Sequence, residues 1–262
     1  MINLQKNEQE LTSSVMSKIS LSKDKDKLEG HVVNLSKCVV DLSKKAEVDL
    51  GATRARVVVV LDYSGSMGNL YRNGTVQNTL NRLVPLGLTF DDNGEIDVYL
   101  FQNDYRKMDG MNLDNYENYI NDVVNKSGYR MVGTCYAPVL NAIINGSTEE
   151  KRGLFGLKKS VGAAGLVDDA QPTFVLFITD GDNSDKSATD KVVIESSEKN
   201  VFIQFVGIGT ERFEYLRKLD DLEGRKVDNT GFSAMKSLES ASDAELYTNI
   251  LEQFVDWLKI TQ

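Results

Sequence analysis

Three short apolar runs punctuate the chain: Val57-Val58-Val59-Val60-Leu61, Phe174-Val175-Leu176-Phe177-Ile178 and Val201-Phe202-Ile203-Gln204-Phe205-Val206. Apolar runs of this length, the third broken only by Gln204 and all bounded by turn residues, read as strands buried on both faces of a parallel sheet. Ile96, Val98 and Leu100 alternate with Asp97, Tyr99 and Phe101 and predict a further strand. Between the strands the period lengthens. Val76, Leu80, Leu83, Val84 and Leu88 mark one apolar helical face, with Pro85 inside it as a possible kink. Helices are also predicted over 116–124 and 138–144, and a closing helix carries Leu246, Ile250, Leu251, Phe254, Val255 and Leu258, with Trp257 as a core anchor. Residues 149–170 hold several Gly and Lys without a clear period and read as a mobile excursion. Strands alternating with helices predict an α/β fold: a doubly wound, mostly parallel sheet with helices on both faces.

Residues 1–50 follow a different pattern. Leu21, Leu28, Leu35 and Leu42 recur at heptad spacing, and Val32, Val39 and Ala46 each follow one of them at the intervening 3–4 spacing. The block Val32-Val33-Asn34-Leu35-Ser36-Lys37 nearly repeats as Val39-Val40-Asp41-Leu42-Ser43-Lys44. As a helix this gives one apolar stripe, to dock on the main domain or on a partner. The β-branched residues leave a strand reading open. The chain thus divides into an N-terminal amphipathic helical arm, 1–50, and an α/β domain, 51–262. His31, in the arm, reads as a surface or packing histidine.

Composition narrows the function. With 39 acidic against 30 basic residues the net charge is −9, and no basic stripe interrupts it. That balance disfavours nucleic-acid and anionic-membrane partners, which need clusters of Lys and Arg. No segment is apolar for long enough to span a bilayer, and the N-terminal residues lack a signal-like apolar stretch. Two cysteines, Cys38 and Cys135, make no disulfide framework and no Cys-x-x-Cys pair. The expectation is a reducing, cytoplasmic setting without membrane insertion. A single histidine in the arm argues against a Ser-His-Asp triad.

The candidate chemistry lies where the strands end. Asp62-Tyr63-Ser64-Gly65-Ser66 follows the first run and offers one carboxylate and two hydroxyls at alternate positions. Asp180-Gly181 follows the second run, and Gly133-Thr134-Cys135-Tyr136 precedes a predicted helix. Ligands collect at the carboxyl ends of strands in open α/β sheets. Small oxygen donors there suit a hard cation such as Mg²⁺, which takes about six oxygens at roughly 2.0–2.1 Å. Asp182 and Asp185 read as a plain turn that could help gather a cation, and Cys135 as a small buried residue.

This constellation resembles the metal-ion-dependent adhesion site of von Willebrand factor A (vWA) domains. Asp62, Ser64 and Ser66 stand in the first loop, Thr134 in the second and Asp180 in the third. The resemblance covers roughly residues 50–262. The chain is more narrowly similar to the A domains of bacterial tellurite-resistance proteins. That likeness is carried by Arg54-Ala55-Arg56, Leu70-Tyr71-Arg72-Asn73-Gly74-Thr75-Val76-Gln77, Phe90-Asp91-Asp92-Asn93-Gly94-Glu95-Ile96-Asp97-Val98 and Gln204-Phe205-Val206-Gly207-Ile208-Gly209. It implies a non-enzymatic module in a tellurite-resistance or stress-response complex. It further implies that Ser64, Ser66 and Thr134 coordinate Mg²⁺ (or Mn²⁺/Ca²⁺), with Asp62 and Asp180 acting largely through water or hydrogen bonds. Mostly neutral ligands leave the ion short of charge, so a protein partner is expected to supply a Glu or Asp as the last ligand.

The alternative is an Mg²⁺-dependent phosphotransferase or phosphatase of the haloacid-dehalogenase type. Asp62 would be its nucleophile, and Asp182 and Asp185 would hold the metal. Ser64 stands where such an enzyme needs a general-acid Asp, which argues against it. No dinucleotide or Walker phosphate loop occurs in a suitable context.

Overall fold

A computed structural model of the chain describes residues 4–19, 25–152 and 158–261. Leu21, the first residue of the heptad series, lies outside the described residues. Two helices, α1 (Leu4–Ile19) and α2 (Lys25–Ala46), precede the first strand, β1 (Arg56–Asp62). The sequence then runs α3 (Gly68–Arg72), α4 (Thr75–Phe90), β2 (Asp97–Phe101), β3 (Tyr105–Lys107), α5 (Ala137–Asn145), β4 (Ser147–Arg152), β5 (Lys158–Ala163), β6 (Thr173–Thr179), α6 (Lys186–Ser196), β7 (Val201–Ile208), α7 (Glu214–Asp220), β8 (Thr230–Met235) and α8 (Asp243–Thr261).

The main sheet has the order β3-β2-β1-β6-β7-β8, parallel throughout except for the short edge strand β3. β1 explains why an unbroken apolar run was needed. Val57, Val59 and Leu61 join one hydrophobic cluster with α2, α4 and α8, whereas Val58 and Val60 join a second with α5, α6 and α7. Alternate side chains leave a strand on opposite faces, and here helices cover both. On α2, Leu28, Val32, Leu35, Val39, Leu42 and Ala46 are all buried, against α8 and α4. Their cluster is continuous with the sheet core.

Sequence and structure part company between β3 and β6. In place of a regular helix over 116–124, the chain forms 3₁₀ turns at Tyr116–Asn118 and Asn125–Ser127 around a π-helical turn at Ile120–Val124. Asn118, Asn121 and Asn125 bond to side chains one turn away, and the Ile120 N–H goes to Gln77 Oε1, 2.8 Å away, outside any helical ladder. The bond from the Ile120 N–H takes a backbone donor out of the helical ladder, which favours the tighter and wider turns seen here. Much of the stretch 149–170, read as irregular, pairs as the antiparallel hairpin β4–β5, from Ser147↔Ala163 to Arg152↔Lys158, with 153–157 outside the described residues. α4 runs through Pro85 unbroken.

β1 leads to β2 on one side of itself, and β6 leads to β7 on the other. The carboxyl ends of β1 and β6 therefore flank the point where the strand order reverses, the place in such sheets where a crevice opens for ligands.

Candidate functional site

Asp62 closes β1 and is fully buried. Its Oδ1 accepts the Ser64 N–H at 2.8 Å, and its Oδ2 accepts the Thr179 hydroxyl at 2.6 Å. The Tyr71 hydroxyl donates to the Asp62 carbonyl at 3.0 Å. From this anchor the first loop turns back. Ser64 Oγ and Ser66 Oγ lie 3.0 Å apart, and Ser66 Oγ donates to Asp180 Oδ1 at 2.9 Å. Asp62, Ser64, Ser66 and Asp180 thus form one hydrogen-bonded chain across the ends of β1 and β6.

Thr134 is brought to the same edge by backbone. Ser64 forms an isolated parallel bridge with Val132, and two residues further along each segment stand Ser66 and Thr134. The Thr134 carbonyl accepts both the N–H and the hydroxyl of Ser184, each at 3.0 Å. Its own hydroxyl stays outside the hydrogen-bonded chain that joins the other four residues.

Burial is the main cause that raises the Asp62 carboxyl to about 6; the Thr179 and Ser64 hydrogen bonds offset part of it, and the Asp180 charge adds to it. Asp180 is also raised, again by burial first, with the Ser66 bond opposing. Among the described residues no Lys or Arg pairs with either carboxylate. The site is short of positive charge. Its donors are all oxygen, two carboxylates and three hydroxyls, which fits a hard divalent cation and disfavours soft metals. Among the described residues, no group of three or more His, Cys, Asp or Glu is placed to hold a metal.

The neighbouring acids do other work. Asp185 accepts the Tyr136 and Ala137 N–H groups at 3.0 and 2.9 Å, fixing the start of α5, and Asp182 pairs with Lys186 at 2.6 Å. With both Asp62 oxygens engaged as well, the geometry lends nothing to a nucleophilic Asp62 served by those two acids. Cys135 is half-buried, with its sulfur 3.2 Å from Ser184 Oγ. Sequence reasoning assigned no role to Thr179 or Tyr136. Thr179 orients Asp62, and Tyr136 lies 3.2 Å from the Thr179 hydroxyl while donating to the Gly181 carbonyl at 2.6 Å. The available signal was the position of Thr179, at the end of a core strand beside Asp180.

The family model for TerF-like vWA domains, the vWA domain found at the TerF C terminus, matches residues 54–262. An uncharacterized protein of Bacillus subtilis (strain 168), YcbR, is 34% identical over 228 residues, covering 84% of this chain and 86% of that protein. Among solved structures, proximal thread matrix protein 1 from the mussel byssus superposes with a TM-score of 0.51 at 16% identity. That match takes in 87% of this chain and 52% of the mussel protein, so the chain spans about half of its length. The ArnB paralog VWA2 from Sulfolobus acidocaldarius gives a TM-score of 0.39 at 17% identity, over 78% of this chain and 46% of that one. The likeness to the mussel protein concerns the fold.

Proposed function

The chain belongs to the vWA-TerF-like family, and from that membership we propose that it is a non-enzymatic, divalent-cation-dependent protein-binding module. The observation that carries this reading is the hydrogen-bonded chain Asp62–Ser64–Ser66–Asp180 at the strand-order reversal, without a basic residue to neutralise it.

Each residue has a share in the work. Thr179 and the Ser64 N–H hold the Asp62 carboxylate in place, and Asp62 in turn fixes the first loop. Ser66 donates its hydroxyl hydrogen to Asp180 and so accepts that of Ser64, which leaves one lone pair of its oxygen to coordinate. Asp62, Ser64, Ser66, Thr134 and Asp180 would hold the cation, Mg²⁺ or else Mn²⁺ or Ca²⁺. When bound, such an ion offers an open coordination position to a Glu or Asp of a protein partner. Binding is then a metal-bridged carboxylate contact, with no bond made or broken in the protein.

The proposed setting, a bacterial tellurite-resistance or stress-response complex in the cytoplasm, draws its support from the family. Among the described residues no helix is long and apolar enough to cross a membrane. The test is calorimetric titration of Mg²⁺ and Mn²⁺ into the wild type and Asp62→Ala, with a phosphatase assay on the same samples. Saturable one-site binding that disappears in the variant, without turnover, is the expected result. Metal-dependent turnover would overturn the reading in favour of phosphotransfer.

A further inference from the structure

A cavity of about 610 Å³ opens directly beside the candidate metal site and shares Ser66 and Asp180 with it. Phe213 and Tyr215, both buried, are among the residues that line it. Phe213 has left-handed backbone, φ 51°, and its ring closes on Gly207, where any Cβ would stand 2.8 Å from it. A phenylalanine in that conformation is strained and needs its surroundings to hold it. Here it reverses the chain just before α7, so that Glu211, Arg212 and Glu214 join the cavity wall. The Tyr215 hydroxyl is tied to the Lys186 carbonyl and to Asp190 at 2.8 and 2.9 Å. The cavity is therefore preformed.

Its charges do not balance. Asp182 is paired with Lys186 at 2.6 Å, and Glu214 faces Arg212 at 4.0 Å. Glu211 is exposed and has no partner among the described residues, and Asp180 belongs to the metal site. One carboxylate on the wall is left to attract a cation. The other flank of the site has the opposite character. Val132 is bridged to Ser64 yet is 51% exposed, and Ile260 at 64% is the only other exposed large hydrophobic among the described residues. A valine held beside a polar site by its bridge to Ser64 leaves apolar surface that a docking segment can cover.

Resting on the metal-centred reading of the site, we propose that the partner presents its acidic residue between an apolar and a basic one. Val132 receives the apolar side chain, and the cavity beside Asp180 receives the Lys or Arg, facing Glu211. The acid determines that binding depends on the metal; Glu211 and Val132 determine which acid-bearing segments bind.

The test is selection of a phage-displayed library of random linear peptides on the full-length chain, in Mg²⁺ and in parallel with EDTA. The expected result is Mg²⁺-dependent recovery of peptides in which Asp or Glu has Lys or Arg within a few positions on one side and an apolar residue on the other. Glu211→Lys is expected to reverse the basic preference, Glu211→Gln to weaken it, and Val132→Ser to remove the apolar one. For synthetic versions of recovered peptides, each exposed contact is expected to change affinity by a factor of about two to five, the scale of a surface ion pair. Thermal melts matching the wild type establish that the variants are folded. Mg²⁺-dependent recovery of acidic peptides with no flanking bias, or a bias that survives Glu211→Lys, would overturn the proposal and leave the metal-centred reading standing. Recovery that ignores EDTA, or no recovery, would overturn both.

Discussion

Asp62 and Thr179 show how much of the site depends on a single buried pair. A carboxylate with no protein cation beside it is costly to bury, and its raised titration near 6 expresses that cost. Replacing Asp62 by Ala removes two accepted hydrogen bonds and the buried charge together, so the two effects offset one another. We expect Asp62→Ala to lose saturable Mg²⁺ binding in calorimetry while melting within about 4 °C of the wild type in EDTA, a shift of about 1 kcal/mol for a chain of this size. A cooperative transition lost altogether would mean that Asp62 is required for folding itself. Thr179→Val is the complementary case. It keeps the shape but takes the donor from Asp62 Oδ2, leaving that oxygen buried and unpaired. The expected outcome is a Mg²⁺ affinity about ten- to a hundredfold lower, with stability reduced by about 1–2 kcal/mol. Unchanged affinity would show that Thr179 serves the fold alone. Asp62 was singled out in the sequence because Ser64, Ser66, Thr134 and Asp180 follow it in order; alone after an apolar run it also reads as a loop cap. Thr179 was not, because a threonine closing a strand is what any sheet would place there.

Among the elements, α2, α4 and α8 converge on Asp243, the first residue of α8. Its carboxylate bonds His31 Nδ1 at 2.6 Å and Asn34 Nδ2 at 3.1 Å from α2, and Arg82 Nε at 2.7 Å from α4. Arg82 also donates to the Leu238 and Ala241 carbonyls at 3.0 and 2.9 Å. Burial alone would raise the Asp243 carboxyl, but the bonds from His31, Asn34 and Arg82 prevail and hold it below its ordinary value. We expect Asp243→Ala to cost about 2–4 kcal/mol in urea unfolding at neutral pH, because a nearly buried guanidinium loses its counter-charge. The sign of the pH effect follows from the depressed value. The increment is present above the unfolded carboxyl value of about 3.9 and is lost as pH falls through the lower folded value. The gap between wild type and variant should therefore narrow below about pH 4, and a gap that widened there would contradict the arrangement. The pairing was not legible, since His31 and Asp243 stand 212 residues apart and the reading of His31 as a surface or packing histidine names no partner. β1, β6, β7 and α8 were legible because their apolar contrast is strong. β3, β8, α6 and α7 were not: β3 is three residues long, β8 is the small-residue run Thr230–Met235, and α6 mixes polar and apolar positions without a clean face.

For the whole molecule, the family match begins at residue 54, but the hydrophobic core does not. Val15 and Ile19 from α1 and Leu28, Val32, Leu35, Val39 and Leu42 from α2 belong to the same buried cluster as the sheet face, α4 and α8. Polar ties follow the same route: Lys18 Nζ donates to the Leu88 carbonyl at 2.5 Å, and Lys45 pairs with Glu252. A chain cut after residue 45 would open the apolar faces of α4 and α8 to water. Patches of that kind on a monomer lead to association. At about 1.5 kcal/mol or more for each large side chain uncovered, a few such residues are enough to consume much of the roughly 5–15 kcal/mol that keeps a typical domain folded. We therefore expect the truncated chain to melt well below the full-length protein and to aggregate by light scattering, even though every residue of the candidate metal site is retained. The candidate metal site lies at the carboxyl ends of β1 and β6, whereas α2 packs on α4 and α8, so any truncated protein that stays folded should still bind Mg²⁺. Equal melting and equal solubility would mean that α1 and α2 sit on a core that is complete without them. Loss of Mg²⁺ binding from a folded truncation would mean that the helices shape the loops from behind.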